Sequence, residues 1–158
     1  MAGAFADRVI KSIEQAAGLY HRLVMVVAPS GAGKTAVLQD VHTYTAAPLI
    51  NVNLELSRCM LDLTERQRTL QLQRILAEIV GASKADVVLL DNIEVLFDVS
   101  LKQDPLRLLQ GISRNRTVVA AWNGSIDGEY MVYAVPGHPE YKRYPLRDFL
   151  IVSPEVIA

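Results

Sequence analysis

One stretch of eight residues combines a glycine-rich loop with a lysine and a threonine at fixed spacing. Residues 28–35 read APSGAGKT and directly follow a short apolar run, Leu23–Val27. The spacing matches the pattern G-x-x-x-x-G-K-[ST] of phosphate-binding loops, with Ala28 in place of the first glycine. In such a loop, successive backbone N–H groups and the positive end of the following helix converge on a phosphate chain. The stretch therefore predicts a site for a nucleoside triphosphate.

The positions of this loop have separate expected roles. We expect Lys34 to place its ammonium group beside the β- and γ-phosphates, as an exposed charge of the loop that also supports catalysis. Thr35 is expected to give its hydroxyl to Mg²⁺. The expected cofactors are therefore ATP and Mg²⁺. The predicted nucleotide-binding residues are Pro29, Ser30, Gly31, Ala32, Gly33, Lys34, Thr35 and Ala36.

A second motif is an apolar run that ends in a carboxylate, Val87–Asp91. In P-loop NTPases an aspartate at the end of such a strand acts with the loop Ser/Thr on Mg²⁺. Apolar runs of this kind are common in parallel sheets, and a structural helix cap is the alternative role for Asp91. Its position, about two β-α units after Lys34, favours the metal role.

The sequence does not decide which group would polarise an attacking water. Many additional-strand NTPases have a glutamate directly after the aspartate, but this chain has Asn92, which cannot accept the proton of a water. Glu94 is either the catalytic base or a structural cap or ion-pair partner. Asn123, at the end of a later apolar strand, either senses the γ-phosphate or the attacking water, or forms an Asn-Gly turn.

Arginines near the end of the chain suggest a contribution from a neighbouring subunit. Arg143 and Arg147 precede the predicted last strand, and a guanidinium supplied in trans can stabilise the charge of a transferred phosphoryl group. Arg114 and Arg116 are weaker candidates, and an ordinary surface role is the alternative for each arginine. The histidines do not share metal-ligand spacing, and no nucleophilic catalytic set is visible.

Hydrophobic periodicity, caps and breakers predict the elements that position these residues. The predicted helices cover residues 4–19, 33–44, 64–81 (from the capping box Thr64-x-x-Gln67, with Leu70 among its core positions) and 104–113. The predicted strands cover residues 23–27, 49–53, 87–90, 117–122, 129–135 (as a hairpin strand) and 149–152. Strands separated by helices predict an α/β, doubly wound, mostly parallel sheet covered on both faces.

Composition limits the class of protein. The 158 residues predict a single domain, with an N-terminal helix within residues 1–20 and a nucleotide-binding core at 21–158. A net charge of −1 gives no global attraction to nucleic acid, so any DNA contact needs a local basic patch. The lone Cys59 excludes an internal disulfide and is expected to be buried. Without a secretory signal or membrane span, we expect a cytoplasmic protein. The 51% hydrophobic content suggests either a homo-oligomer with buried subunit interfaces or a small, well-filled α/β core.

Four segments together resemble a known family. They are APSGAGKT (28–35), LLDNIEVLFD (89–98), AAWNG (120–124) and YAVPGHPEY (133–141). They resemble the BrxF family of small P-loop proteins in type 3 BREX phage-defence systems. The resemblance implies an AAA+-like ATPase core. It also implies a role beside other BREX proteins, which include a larger ATPase, a DNA methyltransferase, a helicase and an alkaline-phosphatase-like protein.

A more distant resemblance concerns residues 90–94, LDNIE, which look like the corresponding segment of AAA+ replication initiators with Asn92 in place of the catalytic glutamate. Few residues follow the predicted last strand, so we expect no helical lid and no second sensor arginine.

The sequence leaves three hypotheses for the function: a slow or partner-dependent ATPase, a nucleotide-gated interaction module, or a DNA-associated ATPase of a replication or transposition type. A small-molecule kinase is disfavoured, because no acceptor pocket is evident between the second and third strands.

Overall fold

The computed structural model describes residues 3–29 and 31–154. The helices are α1 Ala4–Ala16, α2 Lys34–Thr45, α3 Val52–Met60, α4 Glu65–Gly81 and α5 Pro105–Ile112, with 3₁₀ segments at Ile93–Phe97 and Val99–Leu101. The strands are β1 Leu23–Ala28, β2 Leu49–Asn51, β3 Val87–Asp91, β4 Thr117–Asp127, β5 Tyr130–Tyr133, β6 Lys142–Pro145 and β7 Leu150–Val152. The fold is α/β, as predicted.

Five of these strands form a parallel path in the order β2-β3-β4-β1-β7. Strand β4 therefore lies between β1, which leads into the glycine-rich loop, and β3, which ends in Asp91. The register pairs Ala28 with Asn123 and Asn51 with Asp91. Because the strands are parallel, their carboxyl ends share one edge of the sheet, and the candidate residues collect there.

The second half of β4 leaves this path and forms an antiparallel extension. Residues 118–123 pair with β1, whereas residues 124–127 pair with β5, which in turn pairs with β6. Gly124 lies where the strand changes partners. A Cβ atom there would lie 1.9 Å from the carbonyl oxygen of Val132 and 2.9 Å from the indole nitrogen of Trp122. The close approach of the two backbones requires glycine at this position.

Helices cover both faces of the parallel path, as the alternation of strands and helices predicts. Residues of α1 and α2, such as Val9 and Leu38, pack with Val24 and Val119 on one face. Residues of α3, α4 and α5 pack with Met25 and the other alternate strand residues on the opposite face. This two-sided burial explains why the central strands are continuous apolar runs.

Local capping signals predicted the starts of α4 and α5 correctly. Thr64 Oγ1 accepts a hydrogen bond from the Gln67 backbone N–H, and the Gln67 side chain accepts one from Thr64 N–H, which forms a complete capping box. Asp104 accepts hydrogen bonds from the first turn of α5, and Pro105 occupies its first position. These signals are reliable because cap and helix lie within a few residues of each other.

Other predictions were wrong. The strand predicted for 49–53 ends at Asn51, whose side chain accepts a hydrogen bond from Leu54 N–H and starts the unpredicted helix α3. Strand β6 was also missed. Leu70 is 71% exposed, because the buried stripe of α4 passes through Leu72, Ile75, Leu76 and Val80 instead. Cys59 is exposed, although it was predicted to be buried.

Among the described residues, none of the helices is both long and apolar enough to span a bilayer.

Candidate functional site

The glycine-rich loop connects the buried strand β1 to helix α2. Gly31 and Gly33 have φ angles of 83° and 89°, in the left-handed region where glycine carries no steric penalty. Ala28 is the last residue of β1 and is not among the residues with positive φ, which explains why alanine is tolerated there. Ser30 lies outside the described residues. Around it, the Ala32 N–H donates to the Pro29 carbonyl at 3.2 Å.

Lys34 lies beneath this loop rather than on its surface. Its Nζ donates to the carbonyl oxygens of Ala28 and Pro29, both at 2.8 Å, and the residue is only 6% exposed. The prediction of an exposed charge is therefore wrong, because the ammonium group folds back onto the chain that precedes it. Burial lowers the pKa of Lys34, and the nearby carboxylates of Glu94 and Asp91 act in the opposite direction.

Thr35 and Asp91 meet at the carboxyl edge of the sheet. The Thr35 hydroxyl donates to Asp91 Oδ2 at 2.6 Å, and the Asn92 backbone N–H donates to Oδ1 at 2.9 Å. Both carboxylate oxygens are thus held in place, while Asp91 is 8% exposed. Asn92, not Asp91, is the N-cap of the following 3₁₀ segment, so the alternative role of Asp91 as a helix cap is not observed.

A hydroxyl and a carboxylate are hard oxygen ligands of the kind that Mg²⁺ prefers. Within residues 3–29 and 31–154, no group of three or more His, Cys, Asp and Glu side chains is arranged to hold a metal ion. This donor set fits Mg²⁺, which usually takes one or two protein ligands and completes its shell with phosphate oxygens and water. It does not resemble a structural zinc site.

Glu94 and Asn123 are joined by a direct hydrogen bond. Glu94 lies in the first turn of the 3₁₀ segment, and its carboxylate accepts a hydrogen bond from the Asn123 side-chain amide. The Asn-Gly turn considered from the sequence is wrong, because Asn123 and Gly124 both lie inside β4. The carboxylate and the amide thus lie at the same sheet edge as Asp91. Such a pair can orient a water molecule or the terminal phosphate of a bound nucleotide.

Asn92 has a structural role in the backbone turn that follows β3. It adopts a left-handed conformation with φ of 55°, which asparagine tolerates better than most residues. Its carbonyl accepts a hydrogen bond from Asn53 N–H at 3.1 Å, and this bond connects the end of β3 to the start of α3. The turn brings Glu94 back toward β4.

The candidate arginines lie away from these contacts. Arg143 is an exposed residue of β6, so it does not directly precede the last strand as predicted, and its guanidinium stacks 3.6 Å from the centroid of the Tyr130 ring. Arg147 is exposed between β6 and β7. Within the described residues, no hydrogen bond or ion pair joins either guanidinium to the loop, Asp91 or Glu94. Arg116 is structural, donating to the carbonyls of Val80 and Ala85.

An aromatic cluster connects the 3₁₀ segment to the antiparallel extension. Phe97 and Tyr133 stack with ring centroids 3.6 Å apart, and the fully buried Trp122 meets both rings edge-on. Tyr144 packs on Trp122, and its hydroxyl donates to Asp104 at 2.7 Å. The segment that carries Glu94 is therefore packed firmly against the extension. No sequence motif predicts this cluster, because its members come from four separate segments.

A cavity of about 470 Å³ opens between the loop and the antiparallel extension. We call it the hairpin cavity. It is lined by Pro29, Asn123, Gly124, Ser125, Tyr133, Ala134, Val135, His138 and Glu140. Burial, followed by the carboxylates of Glu140 and Glu94, raises the pKa of Tyr133 to about 12. The cavity therefore combines buried and charged groups directly beside the predicted phosphate site.

Comparisons with known proteins do not place this chain in a family. No protein-family model matches this chain, and no curated protein matches it significantly. Among solved structures, that of C. elegans PCH-2 is similar over 79% of this chain and 37% of that chain, with a TM-score of 0.40 and 17% sequence identity. The chain thus spans little more than a third of the length of this neighbour. The fold is that of an α/β protein with a mostly parallel sheet and helices on both faces.

Proposed function

We propose that this chain binds Mg·ATP and belongs to the P-loop NTPases. The observation that carries the proposal is the 2.6 Å hydrogen bond between the Thr35 hydroxyl and Asp91, directly beside Lys34 and the glycine-rich loop. Oxygen atoms suited to Mg²⁺ thus lie beside Lys34 and the glycine-rich loop at one sheet edge, which is the arrangement that a phosphate-binding loop requires. Thr35 and Asp91 would hold a bound Mg²⁺, which would supply positive charge that neutralises the phosphates.

The strand order supports the AAA+-like, additional-strand class of this fold. Strand β4 separates the loop strand β1 from the Asp91 strand β3 and delivers Asn123 to the same edge. A residue in that position lies close to both the loop and the metal ligands. This placement is suited to detecting whether a γ-phosphate is present.

We propose that turnover is slow or depends on partners. Glu94 is the carboxylate best placed to polarise a water, but it is engaged by the Asn123 amide, and Asn92 cannot accept a proton. An assembly of several copies would allow Arg143 or Arg147 of one subunit to reach the nucleotide of the next. The resemblance to the BrxF family supports a role in phage defence beside other BREX proteins.

The same hydrogen bond favours a second candidate function. A protein whose candidate base is held by an amide can bind ATP without hydrolysing it and use the γ-phosphate to order surrounding segments. Such a protein is a nucleotide-gated interaction module. A DNA-associated ATPase of the replication or transposition type is a variant of the first candidate and requires DNA-stimulated turnover.

Titration calorimetry with Mg·ATP tests the common basis of both candidates. We expect the wild-type protein to bind Mg·ATP and Lys34→Met to lose at least about tenfold in affinity, because the phosphate-binding charge is removed. Lys11→Met, on the exposed side of α1, is the matched control and should bind normally. Circular dichroism establishes that both variants are folded. Unchanged affinity in a folded Lys34→Met protein would contradict the proposal.

Measurement of phosphate release then separates the candidates. Turnover that rises on addition of DNA, or of the other proteins of a BREX system, supports the partner-dependent ATPase. Tight ATP binding without turnover in any of these mixtures supports the gated module.

A further inference from the structure

We propose that two copies of this chain associate through a patch of exposed apolar side chains. The patch contains Leu61 at the end of α3, Leu70 in α4 and Val99 in the second 3₁₀ segment, and we call it the apolar patch. These side chains are 74%, 71% and 58% exposed, respectively. Large apolar side chains that gather on one part of a surface mark a site where another molecule binds. None of the three belongs to the predicted phosphate site, so the inference does not rest on the proposed function.

Two adjoining cavities bring these side chains together. The first cavity, of about 340 Å³, is lined by Leu61, and the second cavity, of about 400 Å³, is lined by Leu70. Glu65 and Ser100 line both cavities, and Ser100 directly follows Val99. The patch therefore presents two exposed leucines, each beside a space that an apolar side chain from another molecule can fill.

The boundary between the two cavities is held by hydrogen bonds. The Thr69 hydroxyl donates to the Ser100 carbonyl at 3.4 Å, and the Gln103 side-chain amide donates to the Thr69 carbonyl at 2.8 Å. These bonds attach the second 3₁₀ segment to α4. A surface that is fixed before binding loses little conformational freedom when a partner docks on it.

The charges of the two cavities are opposite. The charged side chains of the first cavity are Glu65, Asp98 and Arg68, which give a formal charge of −1. Those of the second cavity are Glu65, Arg66 and Lys102, which give a formal charge of +1. Arg68 is further committed to backbone carbonyls of the turn between α3 and α4, whereas neither Arg66 nor Lys102 forms an ion pair within the described residues.

This arrangement makes the apolar patch complementary to itself. In a two-fold contact the same surface is used by both copies, and if residue i of one copy contacts residue j of the other, the reverse contact is also made. Leu61 of each copy then enters the second cavity of the other copy, and Leu70 enters the first. The negative cavity meets the positive cavity at both places. A partner with one sign of charge would be repelled at one of the two cavities, so the charges favour a second copy.

Sedimentation velocity of the full chain without nucleotide tests the association. Between about 1 and 100 µM, the wild-type protein should show an equilibrium between monomer and dimer. Leu61→Arg and Leu70→Arg should each weaken dimerisation by about tenfold or more, because each places a charge in the apolar contact. Tyr44→Arg, at an exposed position of α2 outside the patch, is the matched control and should dimerise normally. Circular dichroism should show that all three variants are folded, because the replaced side chains are exposed.

A charge reversal tests the complementarity of the cavities. Arg66→Glu brings a carboxylate to the negative cavity of the other copy, and it should weaken dimerisation by about threefold or more, since the contact is made twice. Lys11→Glu makes the same change of charge on the exposed side of α1 and should have little effect. Equal effects of the two variants would show that the charges at the patch do not contribute.

Disulfide cross-linking tests the two-fold register. The native Cys59 is exposed, so the variants are made in a Cys59→Ser background. An equimolar mixture of the Leu61→Cys and Leu70→Cys proteins should oxidise to a mixed dimer faster than either protein forms a dimer with itself. Faster self-linking of either single variant would contradict the proposed register.

Several outcomes would overturn the proposal. Monomer at every concentration, or a dimer that Leu61→Arg and Leu70→Arg leave intact, would show that the patch is not a contact between copies. Open polymers in place of dimers would exclude a closed two-fold contact. A dimer that forms normally while calorimetry finds no binding of ATP would refute the proposed function and retain the interface. ATP binding by a protein that stays monomeric would do the reverse.

Discussion

The side-chain amide of Asn123 donates a hydrogen bond to the carboxylate of Glu94, although the two residues are 29 positions apart in the chain. This contact fixes a carboxylate against β4, at the sheet edge that also carries the Thr35–Asp91 pair. The same hydrogen bond restrains the base that hydrolysis would need. Under the proposed function, the choice between an ATPase and a gated module would depend on how readily Glu94 leaves Asn123.

Glu94→Gln should separate catalysis from binding. If Glu94 is the base, the variant keeps its affinity for Mg·ATP and loses turnover by on the order of 10²-fold or more, because glutamine cannot accept a proton. Glu129→Gln is the control at an exposed turn. Calorimetry and phosphate release measure the two effects. Turnover that is equal in the variant and the wild type would assign Glu94 a structural role.

Two substitutions of Thr35 should test the proposed role of its hydroxyl in binding Mg²⁺. Thr35→Ser keeps the oxygen that bonds to Asp91, whereas Thr35→Val keeps the shape and removes it. We expect near-normal Mg·ATP affinity for Thr35→Ser and a loss of about tenfold or more for Thr35→Val. Titrations without Mg²⁺ should show little difference between the variants. A loss of equal size with and without Mg²⁺ would contradict the metal role.

Gly124→Ala should destabilise the fold. The added methyl group would lie 1.9 Å from the Val132 carbonyl oxygen, in a paired backbone that cannot move aside. We expect a decrease of about 2 kcal/mol or more in the free energy of unfolding, measured by urea denaturation. Gly111→Ala in α5 is the matched control, since its nearest neighbour is 4.0 Å away, and it should be neutral or stabilising by up to about 1 kcal/mol. Similar stability of both variants would show that β4 and β5 are not packed as described.

Tyr133 should make stability depend on pH in the alkaline range. Its pKa is raised from the ordinary value of 10.0 to about 12, chiefly by burial. Between these values the folded protein holds a proton that the unfolded chain has released. The free energy of unfolding therefore falls as the pH rises, by at most about 1.4 kcal/mol per pH unit for this group. Tyr133→Phe keeps the stacked ring and should flatten the decline. An unchanged slope would show that the hydroxyl is not protected from solvent.

Arg143→Ala and Arg147→Ala should test catalysis in trans. If a second subunit completes the site, turnover per subunit rises with protein concentration, and one of these variants removes the rise while ATP binding remains. A guanidinium supplied in this way can contribute roughly 10³–10⁵ in rate. Arg107→Ala, an exposed position on α5, is the control. Light scattering that finds monomer with ATP at every concentration would refute the prediction.

Local signals were sufficient for much of the fold. The glycine-rich loop, the capping box at Thr64 and the Asp104-Pro105 cap each involve residues a few positions apart, and the elements that they start are where the sequence predicts them. The apolar runs of β1 and β3 were equally clear, because both faces of these strands are buried. The sequence also carried a signal for the start of α3, because asparagine at position 51 is a good N-cap. The apolar pattern of the preceding strand led to a predicted strand end at residue 53, so this helix start was missed.

The sequence by itself determined which groups are available for chemistry: a loop with the spacing of phosphate-binding loops, a hydroxyl and a carboxylate of the kind that Mg²⁺ prefers, and the carboxylate of Glu94. Only the tertiary structure decided how these groups meet. Thr35 and Asp91 are 56 positions apart, and β4 must insert between β1 and β3 before Asn123 can contact Glu94. The burial of Lys34 and the hairpin cavity depend on the same packing. Residue spacing specifies local geometry, whereas contacts between distant segments follow from the order in which strands pack into the sheet.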